Sequence, residues 1–505
     1  MRKSSRCRTG GRMTKRAPID GCQAGPRLST GVPGLDQILC GGLIPGNAYA
    51  VQGGPGTGKT LLGLHFLACN APAGRRLLVT LGEDIERLRR NATQLGITLD
   101  DVDMLDLGLF KEARTLAFRL VSPAETDFHR IMHELIQTVN RLAPVRIFVD
   151  FARTLRLLSP DPYQYRLAML SILRLFRDAG ATSLVACEQV PGEPDDLGFM
   201  VDGVFEVSSR PVLMTTDRTI RVIKTRGSEF KGGQHSLKLG CTGLAVIPHL
   251  YSSPVRKREG SLDRQSTGVP GLDAILGGGL ETGSITLLTG SAGTGKTLMG
   301  LQMMLATGRR GEKCLVYTFD QDPRVMIRQL ENLGQDPADL MDRGLLSLSR
   351  IEPHLLSADE FEDQVRRELE RTAIGMVMLD STAGYQLAVR DEQIVARLHA
   401  LCTFLQGEGV TVILTTEIRS LGTIPSVTDQ RFSYLVDNVI MLRHWDAPRA
   451  DGGVELRKLL LVLKKRLSAF DHAVQEVVIG PGGPRITGPA RGLGAFFGDG
   501  HQGSR

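Results

Sequence analysis

Residues 29–61 read STGVPGLDQILCGGLIPGNAYAVQGGPGTGKTL, and residues 266–298 read STGVPGLDAILGGGLETGSITLLTGSAGTGKTL. The two stretches align without a gap at a shift of 237 residues, and about two thirds of their positions are identical. A repeat with so long a period is a duplicated domain rather than the unit of a solenoid. The sequence therefore predicts two copies of one fold.

Each copy continues in the same order beyond this stretch. A glycine-rich loop is followed by a helix, a short apolar strand and, farther along, a second apolar strand that ends in an aspartate. Strands that alternate with helices in this way predict an α/β fold with a mainly parallel, doubly wound sheet and flanking helices. We expect two tandem P-loop domains of this fold class.

Composition indicates where these domains begin and end. Near residue 251 the sequence becomes polar, charged and proline-containing, as in an interdomain linker. The predicted parts are a basic disordered tail (1–24), a first domain (25–250), a linker (251–262), a second domain (263–489) and a flexible glycine-rich tail (490–505).

The bulk composition excludes several classes of protein. With 42% hydrophobic and 23% charged residues, the 505-residue chain resembles ordinary globular proteins. Its formal net charge of +6 is carried by the first 24 residues, so the rest is formally neutral. The eight cysteines lack the spacing of a zinc site or a disulfide framework. No apolar run approaches the roughly 20 residues of a membrane span, and the N-terminus lacks the apolar core of a secretory signal. We expect a cytoplasmic protein that does not associate with membranes.

The glycine-rich loops carry the clearest chemical signal. Both fit the pattern G-x-x-x-x-G-K-[ST], in which tight backbone turns point several N–H groups at phosphate oxygens. Lys59 and Lys296 are expected to bind the β- and γ-phosphates of ATP. Thr60 and Thr297 are expected to offer a hydroxyl oxygen to Mg²⁺. A plain glycine-rich turn is the alternative, but it leaves the paired Lys-Thr unexplained.

The predicted ATP-binding residues are the members of the two loops and the first residue beyond each. They are Gly53, Gly54, Gly56, Thr57, Gly58, Lys59, Thr60 and Leu61 in the first copy, and Gly290, Ser291, Gly293, Thr294, Gly295, Lys296, Thr297 and Leu298 in the second.

Acidic residues follow two later strands in each copy. Asp150 and Asp380 end buried-looking strands, so we expect them to complete the Mg²⁺ sites with Thr60 and Thr297, although such aspartates are often only turn residues.

A second acid in each copy is a candidate for activating the attacking water. Glu83 and Asp320 follow another apolar strand, and the 237-residue shift places one over the other. A surface carboxylate with no catalytic role is the alternative for both.

These features together resemble the KaiC family, the double-domain branch of the RecA-like ATPases. The resemblance covers residues 25–489. It rests on S-T-G-V-P-G-L-D before each phosphate loop, on the duplication, and on the segment SVTDQRFSYLVDNVIM at 426–441.

The resemblance implies a homohexameric double ring with ATP between neighbouring subunits. In such a ring Lys224 and Arg226 of the first domain, and Lys464 and Arg466 of the second, would reach the phosphates of an adjacent subunit. In the family that the chain resembles, the water-activating position is an adjacent pair of glutamates. This chain has Gly82-Glu83 and Asp320-Gln321 there, so each copy retains one acid.

Clock-type members of the family phosphorylate themselves on a neighbouring Ser-Thr pair in the second domain. This sequence has Ser433-Tyr434 there, so the resemblance implies at most one phosphorylated residue, Ser433. An ordinary buried or capping serine is an equally good interpretation.

Three functions fit these features. The first is a hexameric signalling or timing ATPase with serine autokinase activity, which would act with itself and with signalling partner proteins. The second is a RecA- or RadA-like DNA-handling ATPase. It would need a cationic track with aromatic platforms, whereas the domains are neutral and only 5% of residues are aromatic. The third is a scaffold that binds ATP for assembly and hydrolyses little. We favour the first and do not expect nucleic acid as a partner.

Overall fold

A computed structural model of the protein shows two compact units, Met1–Pro248 and His249–Arg505. The predicted tail 1–24, the predicted linker 251–262 and all but two residues of the predicted tail 490–505 lie outside the described residues, so the domain boundaries stay predictions. The structure describes residues 25–69, 73–81, 83–108, 124–150, 152–159, 161–188, 196–212, 215–250, 263–352, 356–389, 394–417, 435–448 and 453–491.

The first unit alternates strands with helices. Its helices are α1 (Pro33–Ile38), α2 (Lys59–Ala68), α3 (Ile85–Gln94), α4 (Ala124–Leu142), α5 (Ala152–Leu158), α6 (Pro162–Asp178) and α7 (Asp196–Met200). Its strands are β1 (Ala48–Gly53), β2 (Arg76–Thr80), β3 (Val102–Asp106), β4 (Arg146–Asp150), β5 (Thr182–Glu188), β6 (Gly203–Val212), β7 (Thr215–Thr225), β8 (Gln234–Gly240) and β9 (Gly243–Ile247).

The second unit repeats this order. Its helices are α8 (Leu272–Ile275), α9 (Lys296–Arg309), α10 (Pro323–Asn332), α11 (Ala338–Asp342), α12 (Ala358–Arg371), α13 (Thr382–Ala388) and α14 (Ile394–Gly407). Its strands are β10 (Arg264–Gln265), β11 (Leu280–Glu281), β12 (Ile285–Gly290), β13 (Lys313–Thr318), β14 (Leu346–Arg350), β15 (Ile374–Asp380), β16 (Thr411–Glu417), β17 (Asn438–Pro448), β18 (Val454–Lys465), β19 (Gln475–Gly480) and β20 (Gly483–Pro489).

One large sheet lies at the centre of each unit. Among the described strands the order is β3-β2-β4-β5-β1-β6-β7-β8-β9 in the first unit and β14-β13-β15-β16-β12-β17-β18-β19-β20 in the second. Strands pair in parallel from β3 through to β6, and from β14 through to β17; the remaining pairs are antiparallel. The matching strand orders confirm the duplication that the sequence predicts.

Helices cover both faces of each sheet. On β1, Tyr49 and Val51 join the core cluster that includes residues of α2 and α3, whereas Ala48 and Ala50 join the cluster that includes residues of α4, α5 and α6. Successive strand residues point to opposite faces, so a strand that is buried along its whole length, as β1 is, packs helices on both sides. The prediction of two doubly wound α/β domains is therefore confirmed.

The S-T-G-V-P-G-L-D stretch forms a hydrogen-bonded turn before the first helix of each unit. The Asp36 carboxylate accepts hydrogen bonds from the Ser29 hydroxyl at 2.5 Å, the Thr30 hydroxyl at 2.7 Å and the Thr30 amide at 2.7 Å. Asp273 accepts the matching three bonds from Ser266 and Thr267. The stretch therefore fixes local structure at the base of each domain.

Each phosphate loop leaves the central parallel strand and enters a helix through a glycine with positive φ. Gly58 has φ 105° and Gly295 has φ 101°, and each is the N-cap residue of the helix that follows. A residue with a Cβ is strained in this left-handed conformation. None of the described helices is both long enough and apolar enough to cross a membrane.

Candidate functional site

The two phosphate loops have the same internal hydrogen bonds. Lys59 Nζ donates to the carbonyl oxygens of Gly53 at 3.0 Å and Gly54 at 2.6 Å. Lys296 Nζ donates to the carbonyl oxygens of Gly290 and Ser291, both at 2.8 Å.

A threonine side chain in each phosphate loop makes a further hydrogen bond within that loop. The Thr57 hydroxyl donates to the Gly54 carbonyl at 2.9 Å, and the Thr294 hydroxyl donates to the Ser291 carbonyl at 2.8 Å. Gly58 and Gly295 have no side chain that could cap α2 and α9, and the backbone N–H groups at a helix N-terminus are a common binding site for anions.

A hydroxyl and a carboxylate meet beside each loop. The Thr60 hydroxyl donates to Asp150 Oδ2 at 2.7 Å, and the Thr297 hydroxyl donates to Asp380 Oδ2 at 3.1 Å. Each pair joins the start of the helix after the phosphate loop to the end of a strand, β4 or β15. In the sheet, that strand is separated by one strand from the strand that precedes the loop. Mg²⁺ prefers oxygen ligands and usually takes only one or two carboxylates from a protein, so both pairs fit this ion.

Burial disfavours the charged form of both aspartates. It raises the pKa of Asp150, against a hydrogen bond from Thr60 and the nearby charge of Lys59. It also raises the pKa of Asp380, where hydrogen bonds from Thr415 and Thr297 oppose the effect and the charge of Asp320 adds to it. A bound divalent cation would relieve this destabilisation.

The model of the KaiC ATPase family matches residues 28–251 and again residues 265–491. The chain belongs to the KaiC family. It is 26% identical over 484 residues to circadian clock protein KaiC2 of Synechocystis sp., which covers 94% of this chain and 82% of the relative. It is 26% identical over 475 residues to circadian clock protein KaiC3 of the same organism, which covers 92% of this chain and 93% of that relative. It is 23% identical over 474 residues to the circadian clock oscillator protein KaiC of Parasynechococcus marenigrum (91% and 90%).

The candidate bases of this KaiC-family chain both lie near the hydroxyl–carboxylate pairs. Glu83 is exposed, but partial burial of its carboxyl group raises its pKa, and the charge of Asp150 raises it further. Asp320 Oδ2 accepts a hydrogen bond at 2.8 Å from the hydroxyl of Ser381, the residue after Asp380.

The structure corrects the alignment of these two acids. Thr80 lies opposite Asp150 in the first sheet, and Thr318 lies opposite Asp380 in the second. Counting forward from the two threonines, Glu83 corresponds to Gln321, not to Asp320.

The 237-residue shift is wrong by one residue here because the second copy has one residue more between the loop lysine and the threonine that ends the next strand. Thr80 comes 21 residues after Lys59, whereas Thr318 comes 22 after Lys296. The two candidate bases therefore occupy adjacent positions, not equivalent ones.

Sequence reasoning missed a glutamate beside each loop. Parallel pairing sets Glu188 opposite Gly53 and Glu417 opposite Gly290, the last residues of the loop strands. Burial lowers the pKa of Lys296, and the charge of Glu417 opposes that shift. A signal was present, because the strand after each candidate magnesium aspartate ends in glutamate, 38 residues after Asp150 and 37 after Asp380.

The four cations assigned to a neighbouring subunit lie at the other end of each sheet. Thr225, between Lys224 and Arg226, is opposite Gly203, which in turn is opposite Tyr49. Tyr49 precedes Gly53 by four residues, or about 13 Å along the strand. The second unit has the same arrangement. Lys465, between Lys464 and Arg466, is opposite Asn438, which in turn is opposite Thr286. Within a unit, these cations are thus separated from the unit's own phosphate loop. Ser433 lies outside the described residues.

We predict that Asp380→Asn stabilises the nucleotide-free protein. Asparagine can keep the hydrogen bonds of Thr297 and Thr415 without a buried charge, so the melting temperature should rise by about 2–4 °C, the effect of roughly 1 kcal/mol in a domain of this size. A carboxyl group with a raised pKa favours the folded state at low pH and loses that contribution as the pH rises through the folded pKa. The gain should therefore be present at neutral pH and absent below about pH 4.

Differential scanning fluorimetry between about pH 3 and pH 8 measures this effect. Asp446→Asn, at an exposed position on β17, is the control and should leave the melting temperature unchanged. A lower melting temperature for Asp380→Asn at neutral pH would contradict the prediction.

Proposed function

We propose that this KaiC-family ATPase binds Mg-ATP at both phosphate loops and hydrolyses it. The observation that carries the proposal is the hydroxyl–carboxylate pair, Thr60 with Asp150 and Thr297 with Asp380, which recurs beside a lysine-bearing phosphate loop in both units. The loop supplies N–H groups and a cation for the phosphates, and the pair supplies the oxygens for the metal.

Steady-state phosphate release tests this proposal directly. The wild-type chain should release phosphate from ATP with Mg²⁺ and stop when the metal is chelated by EDTA. Binding of ATP without measurable release would instead favour a scaffold that uses the nucleotide only for assembly.

We further propose a homohexameric ring in which ATP binds between subunits. Support comes from the separation of the Lys224–Arg226 strand end from the unit's own loop, because cations at that end of the sheet are too far from their own loop to bind its phosphates. Arginine supplied from a neighbour stabilises the charge that develops during phosphoryl transfer.

Assembly is predicted to depend on Mg-ATP, since a ligand that contacts two subunits stabilises their contact by its binding free energy. Analytical ultracentrifugation should show a hexamer with Mg-ATP and smaller species without it. The Lys59→Ala/Lys296→Ala variant is the control and should stay small in both conditions. A wild-type monomer at saturating Mg-ATP would contradict the ring.

We propose a cytoplasmic signalling or timing role, with the chain itself and signalling proteins as partners. The relatives are named circadian clock proteins, and the domains lack the net positive charge expected of a DNA-handling ATPase. Transfer of a phosphoryl group to Ser433 is the accompanying proposal. Phosphopeptide mapping after incubation with Mg-ATP should show phosphate on Ser433 and lose it in Ser433→Ala.

A further inference from the structure

One aspartate in each unit lies at the start of the strand beside the phosphate-loop strand. Asp202 Oδ2 accepts a hydrogen bond from the Ala48 amide, the first residue of β1, at 3.0 Å. Asp437 Oδ2 accepts a hydrogen bond from the Ile285 amide, the first residue of β12, also at 3.0 Å. Both carboxylates are largely buried, with 13% and 11% of their side chains exposed. One oxygen of each aspartate thus anchors the strand that leads to the unit's own loop.

The second oxygen of each aspartate faces an arginine. Arg226 approaches Asp202 Oδ1 at 3.7 Å, and Arg466 approaches Asp437 Oδ1 at 3.8 Å. The same two residues are joined through the backbone, because the Arg226 amide donates to the Asp202 carbonyl at 2.8 Å and the Arg466 amide donates to the Asp437 carbonyl at 3.1 Å.

The remaining neighbour on Oδ2 differs between the units. Arg177, at the end of α6, approaches Asp202 Oδ2 at 3.3 Å, whereas the Gln406 amide, near the end of α14, donates to Asp437 Oδ2 at 3.1 Å. The two units have diverged at this contact and have kept the aspartate–arginine pair. The arginines stay accessible, with 61% and 45% of their side chains exposed.

We infer that Asp202 and Asp437 are positioning residues that hold the arginine each subunit offers to its neighbour. This inference rests on the proposed ring. An exposed arginine samples many rotamers, and immobilising it at a neighbour's phosphate costs conformational entropy. A buried carboxylate fixed to the sheet restricts those rotamers beforehand. The same carboxylate joins the arginine to the strand of the subunit's own loop, so it links the two nucleotides that one subunit touches.

Asp202→Asn separates the two roles of the carboxylate. Asparagine keeps an oxygen that can accept the Ala48 amide, but it removes the charge beside Arg226. The experiment uses full-length chains that also carry Lys296→Ala, so that only the first site turns over. Four proteins are compared with ATP and Mg²⁺: this parent, Asp202→Asn, Arg226→Ala and the double variant.

Asp202→Asn should lower kcat about threefold to tenfold and change KM less than twofold, because the parent's own phosphate loop is unaltered. In the Arg226→Ala background it should have no further effect, because the residue that it positions is gone. Asp178→Asn, at an exposed aspartate on α6 with 70% of its side chain accessible, is the matched control in the same parent and should leave kcat unchanged. An equal loss in both backgrounds, or a change in KM alone, would overturn the inference.

Asp202→Glu is the second variant, and it keeps a charge beside Arg226. It should retain a higher kcat than Asp202→Asn; a lower value would also count against the inference. If Arg226→Ala itself leaves kcat unchanged, the proposed neighbour-supplied arginine is wrong. If Arg226→Ala lowers kcat and Asp202→Asn does not, only the positioning role is wrong.

Discussion

Lys59→Ala and Lys296→Ala should each reduce the number of ATP molecules bound per chain from two to one. Each lysine makes two hydrogen bonds to loop carbonyls and is the only cation in the loop sequence. Charge-assisted hydrogen bonds to phosphate are stronger than hydrogen bonds between neutral groups. Losing about 3 kcal/mol of binding free energy with the lysine would weaken ATP binding roughly 100-fold.

Isothermal titration with a non-hydrolysable ATP analogue and Mg²⁺ measures both stoichiometry and affinity. Each variant is the control for the other, because the untouched loop should keep its affinity. One bound nucleotide in the wild-type chain, or loss of both sites in a single variant, would show that the loops are not two independent ATP sites.

Glu83→Gln should remove most of the hydrolysis, and Asp320→Asn should remove little. Glu83 and Asp320 lie one residue apart when counted from the hydroxyl–carboxylate pairs, and Asp320 is hydrogen-bonded to Ser381. Misplacing a water-orienting group by about 1 Å can cost on the order of 100-fold in rate, so the two acids are not expected to be equally effective.

Phosphate release is best compared with one loop disabled, Glu83→Gln in the Lys296→Ala chain and Asp320→Asn in the Lys59→Ala chain. The first substitution should lower kcat about 100-fold. Because burial and Asp150 raise the pKa of Glu83, the first site should also lose activity at a higher pH than an ordinary glutamate would allow, and Glu83→Gln should abolish this acid limb. Equal losses from both substitutions would indicate two equivalent ATPases.

Local sequence patterns were sufficient to predict the fold class and the conformation of the phosphate loops. A glycine-rich turn between an apolar strand and a helix specifies its own backbone, and alternating strands and helices specify a doubly wound sheet. The positions of Thr60 and Asp150 also follow from local signals, because one opens a helix and the other ends a strand.

The residues that sequence reasoning missed depend on which strands are neighbours. Glu188 lies beside the loop only because β5 pairs with β1, and Asp202 reaches Arg226 only because β6 pairs with β7. These contacts join residues far apart in the chain, so a local signal such as the glutamate at the end of β5 does not show which strand lies beside it. The two candidate bases were misaligned because the ungapped 237-residue shift, set at the phosphate loops, does not allow for the one extra residue that follows in the second copy.

The hydrogen bonds between each loop lysine and its own loop have a consequence for the kinetics of nucleotide binding. Lys59 and Lys296 donate to carbonyl oxygens of their own loops, so each ammonium group must leave these acceptors before it can bind a phosphate. Nucleotide binding is then an exchange reaction, in which each lysine loses two hydrogen bonds to backbone carbonyls before it gains hydrogen bonds to phosphate oxygens. The association rate constant should accordingly fall below the collision limit, and it should be governed by how often the ammonium group leaves its carbonyls.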